Sequence, residues 1–405
     1  MIARDSYIQK IIPFIDKPFV KVITGIRRCG KSTIMHLLAT HLRANNIADE
    51  QIISINFESF MNAHLLDAQQ LYSHISHMRA RDKKAYIFLD KIQEVTNWEK
   101  CVNSLMVDFD VDIYITGSNS HLLSSELSTF LAGRYIEIPV FTLSFNEYLQ
   151  FTSTPASLDK HKNNEAFITF LRMGGFPAIH CARYDSEAVY KIVYDIYSSI
   201  ILRDTIQRYN IRDIELLERV VKYAFDNIGN TFSGKNVADF FKSQQRKVDI
   251  NTIYNYLHAL EGAFIVYKVP RYDIKGKEIL KTQEKFYVSD VSLLHATMGF
   301  KDRNISGFLE NIVFLELKRR GYSVCVGKFD SKEIDFIGEK QGEKIYIQVT
   351  YKLENKETVD REFSTLLAIK DQYPKYVISM DEFWTESVNG VKHLYISDFL
   401  LQKEL

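Results

Sequence analysis

The sequence has no excess of either charge. Its 51 lysines and arginines balance 51 aspartates and glutamates, so no global field draws the chain to nucleic acid or to an anionic membrane. Any basic surface must be local. Cysteine is scarce: Cys29, Cys101, Cys181 and Cys325 lie far apart and form no CxxC pair or Cys/His cluster. That argues against a structural zinc or a disulfide framework and fits a reducing compartment. No apolar run approaches the roughly 18 residues that a membrane span requires, so no membrane partner is expected. The opening MIARDSYIQKIIPFIDK places Arg4, Asp5 and Lys10 where a secretory signal needs an unbroken apolar core. Repeats and low-complexity tracts are missing too. These absences leave a soluble protein expected in the cytoplasm, long enough at 405 residues for two or three domains.

What is present is strand-helix alternation. FVKVITG, QIISINF, AYIFLD, DIYITGS and YIEIPV each suit a buried strand, with helical spacing between them in STIMHLLATHLRANN and NWEKCVNSLMVDF. Such alternation predicts a parallel α/β sheet. The polar stretch 152–164 reads as a surface connection, and 165–230 is mostly helical by period, broken at GGFP (174–177). Two helices and the hairpin YDIKGKEILKTQEKFYV then suggest a winged helix. Beyond about residue 300, helices and the strands YSVCVGK, EIDFIG, KIYIQVT and KYVISM predict a small α/β domain. The expected fold class is α/β, divided into a P-loop core (1–150), a helical lid or linker (151–230), a winged helix (231–290) and a C-terminal domain (291–405).

Residues 25–32, GIRRCGKS, fit the phosphate-binding pattern GxxxxGK[ST]. Gly25 and Gly30 let a loop curl and aim backbone N–H groups at phosphate oxygens, and the following helix adds its positive end. Lys31 is placed to reach the β- and γ-phosphates, and Ser32 to offer a hydroxyl to magnesium. Gly25, Ile26, Arg27, Arg28, Cys29, Gly30, Lys31, Ser32 and Thr33 form the expected cradle, with Cys29 a packing residue and a convenient thiol reporter. The loop follows a strand and opens a helix, and a second strand ends at Asp90, the metal's other partner. ATP with Mg2+ is the expected ligand. Asn119, in TGSNS, is a candidate to sense the phosphates or orient the water, or is a simple turn-former. Arg134, in LAGRYIEI, is a candidate arginine finger across a subunit interface, which needs at least a dimer; a surface ion pair is the alternative.

The residue after Asp90 is Lys91, where many such enzymes carry a glutamate that prepares the attacking water. Losing a positioned base costs about 10²–10⁴-fold, so hydrolysis is expected to be slow unless another carboxylate serves. Glu94 shares the face of Asp90 if a helix starts there. Glu58, after the second strand, is the other candidate. Otherwise Lys91 points to solvent or pairs with an acidic neighbour.

With these motifs the chain resembles a family of prokaryotic AAA-type ATPases that carry a C-terminal domain of unknown function. The match runs through YIQKIIPFIDKPFVKVITGIRRCGKST, FLDKIQEVTNWEK, LAGRYIEI…LSFNEYL, GGFPA, ILRDTI and EIDFIG…IYIQV. The resemblance implies an AAA-like core with sheet order 5-1-4-3-2, which sets Glu58 beside the strand ending at Asp90. It also implies a winged helix and a C-terminal fold similar to PD-(D/E)xK restriction-endonuclease-like nucleases. Members typically have Asp-Glu where this chain has Asp90-Lys91.

A PD-(D/E)xK site needs two strand carboxylates for magnesium and a lysine two residues on. Glu310 and Asp335 stand where the first acidic groups belong; in a structural or interaction domain, Asp335 and Glu333 would be ordinary polar residues. The second strand offers uncharged Gln348, then Val349 and Thr350, and Lys352 lies one pleat further along. An inactive domain is expected. Over 235–285, ten Lys/Arg face six Asp/Glu, concentrated at Lys268, Arg271, Lys275, Lys277, Lys281 and Lys285. The helix DINTIYNYLHAL offers Asn251, Tyr254, Asn255 and His258 as types that contact bases or phosphates. DNA contact through the winged helix and a purely internal packing role are both open. The leading reading is an ATP-binding AAA-type ATPase, slow in hydrolysis, whose nucleotide state moves a winged helix and a degenerate nuclease-like domain. A non-hydrolysing nucleotide-dependent DNA-binding or scaffold protein is the alternative, and an ATP-dependent nuclease the third.

Overall fold

The computed structural model describes residues 2–404 apart from 81, 120–130, 132, 154–159, 183, 302–303, 383, 385 and 386, and the side chains of 160, 281 and 282. The chain divides into two units, Met1–Thr142 with Gly262–Phe264, and Leu143–Glu261 with Ile265–Leu405. No helix among the described residues is long and apolar enough to cross a membrane.

In the first unit the apolar runs become β1 (Val20–Thr24), β2 (Ile52–Asn56), β3 (Ala85–Asp90), β4 (Val111–Thr116) and β5 (Tyr135–Pro139). All pair in parallel, in the order β2-β3-β4-β1-β5. This is the expected order read from the other edge. β1 and β3 are buried along their whole length, as strands covered on both faces must be. The helices are α1 (Asp5–Ile11), α2 (Lys31–Ala44), α3 (Ala68–Met78) and α4 (Trp98–Asp108). Leu71 and Ile75 of α3 and Val102 and Leu105 of α4 join Ile87 and Ile113 in one apolar cluster.

One ion pair interrupts this core. Lys21 on β1 and Asp112 on β4 meet at 0% and 1% side-chain exposure. Tyr114 Oη and the Asp16 N–H also donate to Asp112, at 2.7 and 2.9 Å. Burial pushes the Lys21 ammonium down from its usual range, against the pull of Asp112.

The second unit is helical through Lys160–Met173, Ser186–Ser199, the π-helical Ile200–Gln207 and Ile214–Asp226, as the period predicts. The GGFP break has a steric cause. A Cβ on Gly174, at φ +76°, would lie 2.1 Å from Asp290 Oδ1, and the Gly175 N–H donates to Asp290 Oδ2 at 2.8 Å. Beyond the helices Gly234–Ser243 and Ile250–Gly262 come β6 (Val266–Asp273), β7 (Glu278–Val288), β8 (Ser323–Phe329), β9 (Lys332–Lys340), β10 (Glu343–Val349), β11 (Lys375–Ser379) and β12 (Lys392–Tyr395). Their order is β12-β11-β10-β9-β8-β6-β7.

This order corrects one expectation. The hairpin read as the wing is not a separate element, because β6 pairs in parallel with β8 from Arg271–Val326 to Asp273–Lys328. A boundary at residue 290 therefore cuts through one seven-stranded sheet. Parallel partners need a long crossover between them, and here it runs through the helices Val291–Met298 and Ile305–Arg319.

The buried pair in the first unit gives a direct test. Asp112→Ala strands a buried ammonium and is expected to cost about 3–5 kcal/mol. The exposed pair Lys83–Glu50 should contribute no more than about 1 kcal/mol. Urea denaturation of Asp112→Ala and Glu50→Ala measures both.

Candidate nucleotide site

The loop from Gly25 to Gly30 joins the end of β1 to the start of α2. A Cβ on Gly25, at φ +138°, would lie 2.1 Å from the Val140 carbonyl oxygen, so glycine is required there. Gly30, at φ +103°, caps α2. Lys31 is buried, and its Nζ donates to the carbonyls of Gly25 and Ile26 at 2.7 and 2.9 Å. Ser32 and Arg28 are exposed, Arg27 and Thr33 half-buried and Ile26 buried. The Cys29 side chain is fully buried, which fits packing and removes it as a thiol reporter.

Asp90 ends β3, only 8% exposed. Thr116, which ends the neighbouring β4, donates its hydroxyl to Asp90 Oδ1 and accepts the Lys91 N–H at 2.9 Å. It was not among the residues singled out from sequence, although a polar residue closing a buried strand was a usable signal. Lys91 is left-handed, at φ +63°, and nearly buried. Its ammonium lies 3.5 Å from Glu58 Oε1, and Arg27 Nη1 lies 3.6 Å from the same oxygen. The register explains how Glu58 arrives. Asn56 pairs with Asp90, the Phe57 N–H donates to the Asp90 carbonyl at 3.1 Å, and Asn56 Oδ1 accepts the Glu58 N–H at 2.9 Å. The acidic neighbour of Lys91 is thus Glu58.

Glu94 does not meet its condition. No helix starts at Asp90, because Lys91 is left-handed and is followed by the short 3-10 turn Ile92–Glu94, with α4 beginning at Trp98. Glu94 is exposed. Asn119 is completely buried just past β4. Arg134 is exposed and lies at the other edge of the sheet, where its carbonyl accepts the Val20 N–H at 2.9 Å. β1 separates it from Gly25 by five residues, about 16 Å at strand rise, so a finger role requires a second copy.

The second unit holds a different cluster. Lys285 Nζ, from β7, sits 2.8 Å from Glu333 Oε1, 3.2 Å from Glu310 Oε2 and 3.6 Å from Asp335 Oδ1. Tyr287 Oη donates to Glu310 at 2.9 Å, and the Val349 N–H to Asp335 at 2.8 Å. Gln348 accepts the Asp335 N–H at 3.4 Å. Burial alone would lower the Lys285 ammonium, but Glu310, Asp335 and Glu333 hold it above its usual range. Burial pushes the carboxyls of Glu310 and Asp335 up. Thr350 is buried, and Lys352 pairs with Glu354 at 2.8 Å.

Much of the supposed basic wing is spoken for. Lys285 points into this cluster, Lys268 pairs with Glu284 at 3.2 Å, Arg271 with Glu333 at 3.8 Å and Lys275 with Asp330 at 2.7 Å. Lys277 is exposed, and the Lys281 side chain lies outside the described residues. On the preceding helix Asn251, Asn255 and His258 are exposed. Tyr254 is not, since it packs on Gly234 and accepts that residue's N–H at 3.3 Å.

Residues 17–149 match the AAA domain family, and residues 164–304 match a domain of unknown function. An uncharacterized protein of Haemophilus influenzae is 40% identical over 404 residues, 99% of each chain. The chain belongs to a family of AAA-domain proteins. An uncharacterized protein of Methanocaldococcus jannaschii is 33% identical over 392 residues, 92% of this chain and 82% of its own. Among solved structures, the Walker-type ATPase of Pyrococcus abyssi aligns with 73% of this chain and 96% of its own at 12% identity, with a TM-score of 0.46. The AAA domain contains the loop, Glu58, Asp90, Lys91 and Thr116. Glu310, Glu333 and Asp335 fall beyond both matched segments.

The Lys285 cluster yields a signed pH dependence. Lys285→Met leaves three carboxylates without their ammonium and is expected to cost about 3–5 kcal/mol at pH 7. Glu310 and Asp335 bind protons more tightly folded than unfolded, so their contribution is lost as pH rises through the folded values. The variant's deficit should therefore shrink as pH falls toward 5, read by urea denaturation across pH.

Proposed function

We propose that the AAA domain binds ATP with Mg2+ at Gly25–Thr33 and hydrolyses it slowly, with Glu58 in the role that residue 91 cannot fill. The shared approach of Lys91 and Arg27 to one Glu58 oxygen carries this reading. The Glu58 carboxylate lies against the residue that follows Asp90 and against Arg27 of the loop.

In this reading the loop N–H groups and the start of α2 receive the phosphates. Lys31 exchanges its loop carbonyls for phosphate oxygens. Asp90 and Ser32 offer the hard oxygen donors that suit magnesium, and Thr116 holds the Asp90 carboxylate in place. Bound Mg2+ would neutralise charge on the phosphate oxygens. Glu58 orients the attacking water, and Asn119, behind the end of β4, helps fix the phosphate end. Each cation on Glu58 competes with that water for the same carboxylate, which accounts for slow turnover. Arg134 contributes across a subunit interface. The nucleotide state acts in turn on the second unit.

Lys91 also supports a second reading, a nucleotide-dependent DNA-binding or scaffold protein without turnover. The neutralised hairpin lysines weaken its DNA form. A nuclease role has less support, since the Lys285 ammonium engages Glu310, Glu333 and Asp335 together.

Phosphate release by pure protein with magnesium separates these readings. Wild type should turn over slowly, and Glu58→Gln should lower the rate about 10²-fold or more with ATP affinity little changed. Lys91→Glu should raise it. Lys31→Ala should abolish ATP binding. An unchanged rate in Glu58→Gln removes Glu58 from the chemistry, and no turnover in wild type selects the second reading.

A further inference from the structure

We infer that Arg4, far from the phosphate loop in sequence, is a positioning residue for polyphosphate binding that sets the direction of the Gly30 N–H. The inference rests on the proposal that ATP binds at Gly25–Thr33.

Arg4 is only 2% exposed, unusual for a group that is always charged. Its Nη1 donates to the Cys29 carbonyl at 2.8 Å, and its Nη2 to the carbonyls of Phe141 and Thr142 at 3.1 and 3.4 Å. The guanidinium lies 4.5 Å from the Tyr7 ring centre, and Tyr7 Oη accepts the Phe141 N–H at 3.1 Å. Three main-chain carbonyls thus converge on one cation. One belongs to the phosphate loop and two to the segment after β5, next to the Val140 carbonyl that crowds Gly25.

The consequence follows from peptide geometry. The Cys29 carbonyl and the Gly30 N–H belong to one planar trans peptide and point in opposite directions. A carbonyl fastened to Arg4 therefore turns the Gly30 N–H away from Arg4, the side on which the proposed binding mode sets the phosphates. The Cys29 N–H donates to Ile26 at 3.2 Å, so this peptide is held from its preceding residue as well. Without Arg4 the peptide is released to rotate, and an anion would meet the Cys29 carbonyl oxygen instead of a donor.

The test measures affinity and stability separately in the full-length chain. Calorimetry with ATP-Mg and with inorganic tripolyphosphate gives dissociation constants for wild type, Arg4→Lys and Arg4→Met, and thermal melts without ligand give stability. Arg4→Met should weaken both ligands by a similar factor, about 10-fold or more for loss of a charge-assisted hydrogen bond that orients the loop. Arg4→Lys keeps the charge but not the fork, and should recover part of that loss. If Arg4→Met only lowers the melting temperature and both affinities stay within twofold, Arg4 is an anchor and the inference is wrong. Should Arg4→Met fail to fold, Arg4→Lys decides, and wild-type affinity in it overturns the role. If wild type binds neither ligand, or Lys31→Ala binds as wild type does, the ATP assignment fails and the Arg4 role falls with it.

Discussion

Parallel pairing aligns the ends of β2, β3, β4 and β1 along one edge of the sheet, and the contacts of Asp90, Lys91, Thr116 and Glu58 at the candidate site depend on that alignment. The pairing of Asn56 with Asp90 and of Ile23 with Thr116 leaves little freedom in what lies beyond. Thr116 reaches Asp90 because their strands are neighbours. Glu58 reaches Lys91 because β2 ends level with β3. A slip of one residue in β3 would turn Asp90 to the other face of the sheet and break both contacts. The site is thus a property of register before it is a property of side chains.

Three of the buried charges among the described residues are held differently. Lys21 and Asp112 are a closed pair, supported by Tyr114 and the Asp16 backbone. Lys285 gathers three carboxylates at once and stays charged because their combined field exceeds its burial penalty. Arg4 donates to three main-chain carbonyls, those of Cys29, Phe141 and Thr142. The first arrangement pairs one charge with one, and the second surrounds a single cation with acidic groups. The third fastens the loop after β1 to the segment after β5.

The features legible in the sequence were those carried by short spacing. GIRRCGKS, the five apolar runs and the strand ending at Asp90 each depend on a few adjacent residues, and the structure has all of them where expected. Contacts made far along the chain were harder to read. Nothing local to residues 266–288 reveals that β6 will find β8 more than 50 residues later, so the hairpin reads as a wing. Lys285 looks like its exposed neighbour Lys277, because its partners Glu310, Glu333 and Asp335 lie on other elements. Arg4 offers no motif, since the loop group it holds is a backbone carbonyl. Glu94 was misplaced for a local reason: the left-handed turn at Lys91 delays the helix, and lysine does not advertise that conformation as glycine would.

The pairing of β6 with β8 also bears on how such a chain can be inherited. A break near residue 290 would leave β8 as an open edge with unpaired backbone groups, the kind of edge that invites association with other chains. It would also part Lys285 from Glu310, Glu333 and Asp335, so that each fragment kept buried charge of one sign. Recombination at that point would yield two pieces that neither fold cleanly nor stay apart. The hairpin and the C-terminal strands are therefore expected to pass between genomes as one block.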